Sequence, residues 1–448
     1  MNSPSLTFSQ RVLVLVVAFS GLVFDGFELG LMPQASLPVT VDLMGKEYAD
    51  AHGPQWFAWY TASLMLGAAC GGIVLGNLGD RWGRSRAMSL SIIIYSAFAG
   101  LGAWANTQEQ MLMLRFFVGM GTGGMLPNGV ALVSECWPNA SRVVIAGIMG
   151  AGINVGILLF GQTTQFYPVD AESWRWVFKI AAMPALLGIF SLLFLPESPT
   201  WIANRGRSKG SSISLMELFR GRLLRVTILG ILLGAIPLLG AWAASKWMVP
   251  WTDKIATAAL AAYDGSDATT IAHFKGYKGA VQFYWALGAI LGSFLGAHIA
   301  VWLGRRWSYF IISLSAVSLT WVMFQMTEPL KPEFLKIVFA QGFASTLFFG
   351  WLPMYLPELF PTRARATGMG LSYNVGRFAT AIGVLLAGGL LVSLKPFVDN
   401  DPSRAMALTG ALCGLVYSLG LIVIWFAPNT AGQSLEDDPI RPGADDEG

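Results

Sequence analysis

From Val12 to Met32 the chain is apolar except for two carboxylates, in the stretch GLVFDGFELGLM at 21–32. Apolar runs of similar length recur near 57–78, 86–105, 109–134, 143–166, 174–195, 224–249, 279–302, 308–327, 335–356, 365–393 and 405–427. A bilayer core takes about 20 such residues per helix. Barrel strands would instead alternate apolar and polar positions over about ten residues. The runs are continuous, so the pattern predicts an all-α integral membrane protein with twelve spans, the first at 11–33. The first run is longer than the apolar core of a signal peptide and lacks an A-x-A site, so it is expected to remain as a span.

The runs are interrupted most clearly after Trp201 by IANRGRSKGSSISLMELFRGR (202–222). This break predicts a six-helix bundle over 1–200, a linker over 201–223, a second six-helix bundle over 224–430 and a polar tail over 431–448. A second polar stretch, Thr252 to Gly276, falls between spans 7 and 8 and reads as an outer loop of no legible role.

Composition agrees with this division and adds an orientation. The chain is 54% hydrophobic and 12% charged, against about 25% charged in soluble domains. A net charge of +3 says little about partners, but its distribution says more. With the N-terminus cytoplasmic, the inner segments hold sixteen Lys and Arg and the outer segments ten, so the positive-inside rule places both termini in the cytoplasm of a cell membrane protein. The basic patches are loop anchors, not a nucleic-acid surface. The expected partners are lipid and a small-molecule substrate, with the chain acting as a monomer.

Other chemistry has little support. Cys70, Cys136 and Cys413 lie in or beside spans, which argues against a disulfide framework. His52, His273 and His298 are scattered and make no metal cluster. A phosphate-binding loop is absent, which argues against ATP-driven transport. With no nucleophile–base pair either, an enzyme is not expected, and no cofactor is needed beyond a coupling ion.

The two halves repeat weakly. SECWPNASRVVIAG (134–147) parallels PELFPTRARATG (357–368), with Glu135 and Glu358 each three residues before a proline and seven before Arg142 and Arg365. Asn154-Val155-Gly156 recurs as Asn374-Val375-Gly376. Parallel repeats of this kind suit two bundles rocking about a central site. Between spans 2 and 3 stands GNLGDRWGRSR (76–86), with Gly76, Asp80, Arg81, Gly83 and Arg84 in a tight inner turn. Arg115 is followed by glycines at 119, 121, 123 and 124, which let helices approach closely.

GNLGDRWGR resembles the cytoplasmic loop signature of the major facilitator superfamily, and Arg115 with its glycines resembles that superfamily's fourth-span signature. PESPTWI (196–202), LGRRW (303–307), ELFPTRARATG (358–368) and PNTAGQSLED (428–437) agree with it, so the resemblance spans both halves. It implies a secondary transporter with two six-helix bundles. The first-span pattern D25-G-F-E-L-G is similar to that of proton-coupled organic-acid importers, including aromatic-acid and sialate or lactate groups, while the PESP and PNTAG pieces are shared with sugar porters. AVWLGRRW lacks an acid at Val301 or its neighbour, so a latch built on that acid is expected in the first half alone. Asn429 stands where the family often has Glu.

Five charges fall well inside spans: Asp25, Glu28, Arg115, Lys246 and Arg377. Each costs about 2.5–3.5 kcal/mol on insertion scales and is a functional candidate. Asp25 and Glu28, at i and i+3, share a helix face. So close together and away from water, they do not both ionise comfortably. One is expected to order the site or pair with Arg115, and the other to carry the coupling proton. Arg377, beside Tyr373 and Asn374, has no acid of its own in the second half, so its fork is expected to hold a substrate carboxylate; a helix-packing arginine bonded to a backbone carbonyl is the plainer alternative. Asn128, Asn154, Gln162, Gln341 and Tyr284 are candidates for the same cavity. The inner gate is expected at the loop residues together with Glu135, Arg142, Glu358 and Arg365. These features read as alternating-access import of a small organic acid with a proton. A sugar or other neutral-solute porter of the same fold is the alternative, and a membrane enzyme or receptor a remote one.

Overall fold

The computed structural model describes residues 6–138, 142–204, 215–361 and 364–430; the side chain of Arg142 lies outside the described set. A backbone in hydrocarbon must satisfy its polar groups internally, and the long apolar runs do so as helices. Among the described residues, eleven helices are long and apolar enough to cross a membrane. In chain order they are α1 (Phe8–Met44), α2 (Lys46–Trp82), α3 (Arg84–Trp104) and α4 (Gln108–Cys136), then α6 (Arg175–Phe194), α7 (Leu223–Ala261), α8 (Ala268–Leu303), α9 (Arg305–Met326), α10 (Pro332–Leu359), α11 (Thr367–Val398) and α12 (Pro402–Phe426). The apolar helix α5 (Arg142–Phe166) supplies the twelfth.

Several helices outrun the spans read from hydropathy. At 37 residues, α1 is about 55 Å long at 1.5 Å per residue, well beyond an apolar core. The helix carries through Pro33 and Pro38. The stretch from Thr252 to Gly276 is not an outer loop either. The helix of α7 continues to Ala261 and α8 begins at Ala268, so polarity there marks helix ends standing beyond the apolar layer.

Glycine seams pair the helices in the same way in both halves. A Cβ at Gly67, Gly71, Gly119 or Gly123 would lie 2.0–2.1 Å from a carbonyl of the facing helix, so α2 and α4 touch backbone to backbone. Their counterparts Gly288, Gly292, Gly296 and Gly342 hold α8 against α10 at 2.0–2.2 Å. Small residues permit this approach, and dispersion rather than the hydrophobic effect rewards it. One apolar cluster fills the first bundle, around Trp174, Phe178 and Tyr95. A second, around Tyr309, Trp351 and Tyr355, fills the second bundle. A third joins the bundles, setting Phe57, Ala58 and Ile157 among Trp247, Trp251 and Trp285.

Candidate functional site

Asp25 and Glu28 occupy the middle of α1, where they are 3% and 2% exposed. The helix can bury them because Gly26 and Gly156 bring α1 and α5 together: a Cβ on either would fall 1.8 Å from a carbonyl opposite. Glu28 takes the arginine of the pair, with Arg115 Nη1 3.3 Å from Glu28 Oε2 and both side chains at most 1% exposed. Phe178 lies 5.2 Å beneath the guanidinium carbon. Asp25 is left over. Its Oδ1 has no hydrogen-bond partner among the described residues, and the charges that act on it are those of Arg377 across the bundle interface and Glu28 on its own helix.

Arg377 thus acts on Asp25 through its charge, but its hydrogen bonds go elsewhere. Nη1 donates to Ala68 O at 3.0 Å and to Gly123 O at 3.4 Å. These two carbonyls are neighbours because Gly123 presses directly on Ala68 O, 2.1 Å from where its Cβ would stand. The α2–α4 glycine seam therefore builds the dock for an arginine of the opposite bundle. Gly72 keeps the approach clear, since a Cβ there would be 2.4 Å from Asn374 Oδ1 and 2.9 Å from Arg377 Nη1. Tyr373 lies 5.2 Å from the guanidinium carbon. In this conformation Arg377 makes the carbonyl contacts of a packing arginine, across the bundle interface. Gly72 and Ala68 escaped notice in the sequence because a glycine in a glycine-rich run and an alanine in a helix carry no local signal.

The other polar candidates separate. Asn154 reaches across the interface, with Nδ2 2.8 Å from Ser293 Oγ. Gln162 is half-buried in α5. Asn128 donates to Leu75 O and Gly124 O and so knits α2 to α4. Gln341 is spent inside the second bundle on Trp285, Ser245 and Thr320. Tyr284 is 39% exposed on the stripe of α8 that also shows Leu287 and Leu291 to the surroundings.

On the side of the termini, the two halves build matching polar corners. Gly83 and Gly304, with φ of 120° and 79°, turn the chain into α3 and α9 in a backbone region that side chains avoid. The next residues, Arg84 and Arg305, face Glu135 and Glu358 at 3.7 and 2.8 Å. Ser198 donates to Glu135 and Thr430 donates to Glu358, so PESP and PNTAG serve equivalent posts. The second half therefore has its own ion pair without an acid at Val301, which is 64% exposed. It is also the tighter one. Arg305 grips Glu358 through Nε at 3.1 Å and Nη2 at 2.8 Å, whereas Asp80, with its side chain 62% exposed, pairs with Arg84 across the turn at Gly83. Arg81 is exposed, a Cβ on Gly76 would meet nothing within 4 Å, and Arg365 Nε donates to Pro357 O at 2.9 Å. We expect Glu358→Gln to destabilise the protein by about 2 kcal/mol, the contribution of a charged hydrogen-bonded pair, read as a lower apparent melting temperature, with Asp80→Asn near neutral. Equal losses from the two would show that the corners are held by something other than these pairs.

The opposite side is where the bundles lock. Lys254 pairs with Asp50, Lys395 Nζ donates to Ala51 O at 2.8 Å, and Lys278 Nζ donates to Val169 O at 2.9 Å and Gln34 O at 3.2 Å while pairing with Asp253. Lys278 is 3% exposed; hydropathy placed it in a loop because α8 begins eleven residues before its apolar run at 279. Toward the termini, α2 and α11 part. One turn beyond Gly72 and Asn374, a Cβ at Gly76 or Gly370 would meet nothing within 4 Å. Polar ties join the bundles away from the termini, while the space beside Gly76 and Gly370, toward the termini, is free.

Similar proteins fit this arrangement. The solved structure of a D-xylose–proton symporter superposes with a TM-score of 0.67, at 16% identity over 96% of this chain and all of that one. At the sequence level, a probable 4-methylmuconolactone transporter of Cupriavidus pinatubonensis is 28% identical over 94% of this chain and 91% of its own length. A cis,cis-muconate transport protein of Acinetobacter baylyi is 28% identical over 84% and 88%. The family model described as sugar (and other) transporter matches residues 13–225 and 261–432, and the chain belongs to that family as a multi-pass membrane transporter of the major facilitator fold.

Proposed function

We propose that this transporter imports a small organic acid together with a proton, with both termini in the cytoplasm of a plasma membrane. The observation that carries the reading is the unequal fate of the two carboxylates. Glu28 is neutralised by Arg115 at 3.3 Å, while Asp25 keeps an oxygen without a hydrogen-bond partner among the described residues, within the field of Arg377. Only a group whose protonation differs between states can couple them, and an acid with no fixed partner is the one able to change.

Arg377 then links the proton to the bundles. An ionised Asp25 attracts the guanidinium that holds Ala68 O and Gly123 O; a protonated Asp25 does not, so the strength of the α2–α11 contact follows the proton. Relatives named for muconate, methylmuconolactone and benzoate support an acid as cargo. The cationic character of the second bundle's interior, where Lys246 and Arg377 make no ion pair with an acid among the described residues, supports it as well.

The test is uptake into proteoliposomes with an alkaline interior, using labelled cis,cis-muconate, nicotinate and lactate. We expect at least one acid to accumulate severalfold over protein-free vesicles and an ionophore that collapses the pH gradient to abolish this. Accumulation of xylose in place of every acid would favour the neutral-solute porter.

A further inference from the structure

Lys246 takes no part in the proton site or in the contacts between the bundles. It lies in the second bundle, 2% exposed, and Nζ has no hydrogen-bond partner among the described residues. What it does have is an aromatic face. Nζ stands 3.9 Å from the centre of the Trp285 ring and 5.6 Å from that of Trp242. A cation over a ring gains about 0.5–2 kcal/mol, less than the cost of stripping an ammonium of its water and leaving it unpaired.

The local backbone is built to present this residue. Pro237 withholds an N–H within α7, the five residues Gly240–Ala244 form a π turn, and Ser245–Trp247 follow as a tight 3-10 turn before the regular helix resumes at Met248. Such interruptions cluster at functional sites and at the binding sites of transporters. The Trp285 ring is a fixed platform, because its Nε1 donates to Gln341 Oε1 at 2.8 Å and Gln341 is held by Ser245 and Thr320 at 2.6 and 3.1 Å. Trp242 packs against the cluster of the first bundle and against the cluster that joins the two, so the lysine stands beside the bundle interface.

We propose that Lys246 is the anchor for the carboxylate of the transported acid, with Trp242 and Trp285 as walls for a planar, unsaturated or aromatic body. A carboxylate supplies the missing counter-charge, and the rings exclude water from the pair. This assignment rests on the organic-acid reading and gives Arg377 to the bundle contact and Lys246 to the cargo.

The experiment uses the full chain purified in detergent, with tryptophan quenching and thermal shift as readouts and benzoate, nicotinate, cis,cis-muconate and lactate as probes, each beside its uncharged amide. Wild type is expected to bind at least one acid and not its amide. Lys246→Gln should weaken that acid at least tenfold, and Lys246→Arg less than Lys246→Gln. Without ligand, Lys246→Met should melt at or above the wild-type temperature, because removing an unpaired buried charge relieves the fold. If Lys246→Gln binds the acid with less than a tenfold loss, or if ligand-free Lys246→Met melts well below wild type, the anchor assignment is wrong and the organic-acid reading stands. If wild type binds none of the acids, both fall together.

Discussion

Asp25→Asn protein in proteoliposomes should exchange labelled substrate for unlabelled substrate at close to the wild-type rate, yet accumulate none under an imposed pH gradient. Exchange needs only that the loaded carrier reorient. Accumulation needs the carrier to return without its proton, which a permanently neutral side chain forbids. On the proposed reading Asp25 is the exchangeable acid, because its Oδ1 has no hydrogen-bond partner among the described residues and it feels the charge of Arg377, while Glu28 is committed to Arg115. The loss in accumulation ratio should be complete, down to the level of protein-free vesicles. If Asp25→Asn concentrates substrate normally, Asp25 is not the coupling group and its burial has another cause.

Much of this could be read from the chain, and the rest could not for identifiable reasons. Hydropathy located every span because a bilayer demands long apolar helices, but it misjudged their ends, as at Met44 and Ala261, where polar residues continue a helix past the apolar layer. The mid-span charges announced themselves by their cost. Which acid meets Arg115 did not, because Asp25 and Glu28 share a helix face and differ only in how α1 is rotated against α4. Arg377 posed the harder problem. Its partners are backbone carbonyls of Ala68 and Gly123, and carbonyls leave no mark on a sequence. Asn128 and Gln341 look like cavity residues in one dimension and prove to be interhelical ties in three. The corner pairs Arg84–Glu135 and Arg305–Glu358 were half visible. The repeat exposed both glutamates, but the absent acid at Val301 drew attention from Arg305, four residues on.

The same contrast between paired and unpaired charge gives the largest expected effect on stability. Arg115 is fully buried, and Arg115→Met would leave Glu28 ionised or forced to protonate in an apolar interior, without the one charged hydrogen-bond donor it has among the described residues. Removing one member of a buried pair costs about 3–5 kcal/mol, whereas replacing both with apolar or neutral groups of similar volume is often close to neutral. Arg115→Met alone should therefore be poorly expressed and melt far below wild type, and Glu28→Gln in the same chain should restore most of the loss, a coupling readable by a double-mutant cycle on the melting transition. Transport separates this pair from Asp25 further. The rescued double variant keeps Asp25 and Arg377, so it should still accumulate acid under a pH gradient, at whatever rate its restored fold allows. If the double variant is stable but cannot accumulate substrate while Asp25→Asn can, the roles of the two carboxylates are reversed, and the proton rides on Glu28 against Arg115.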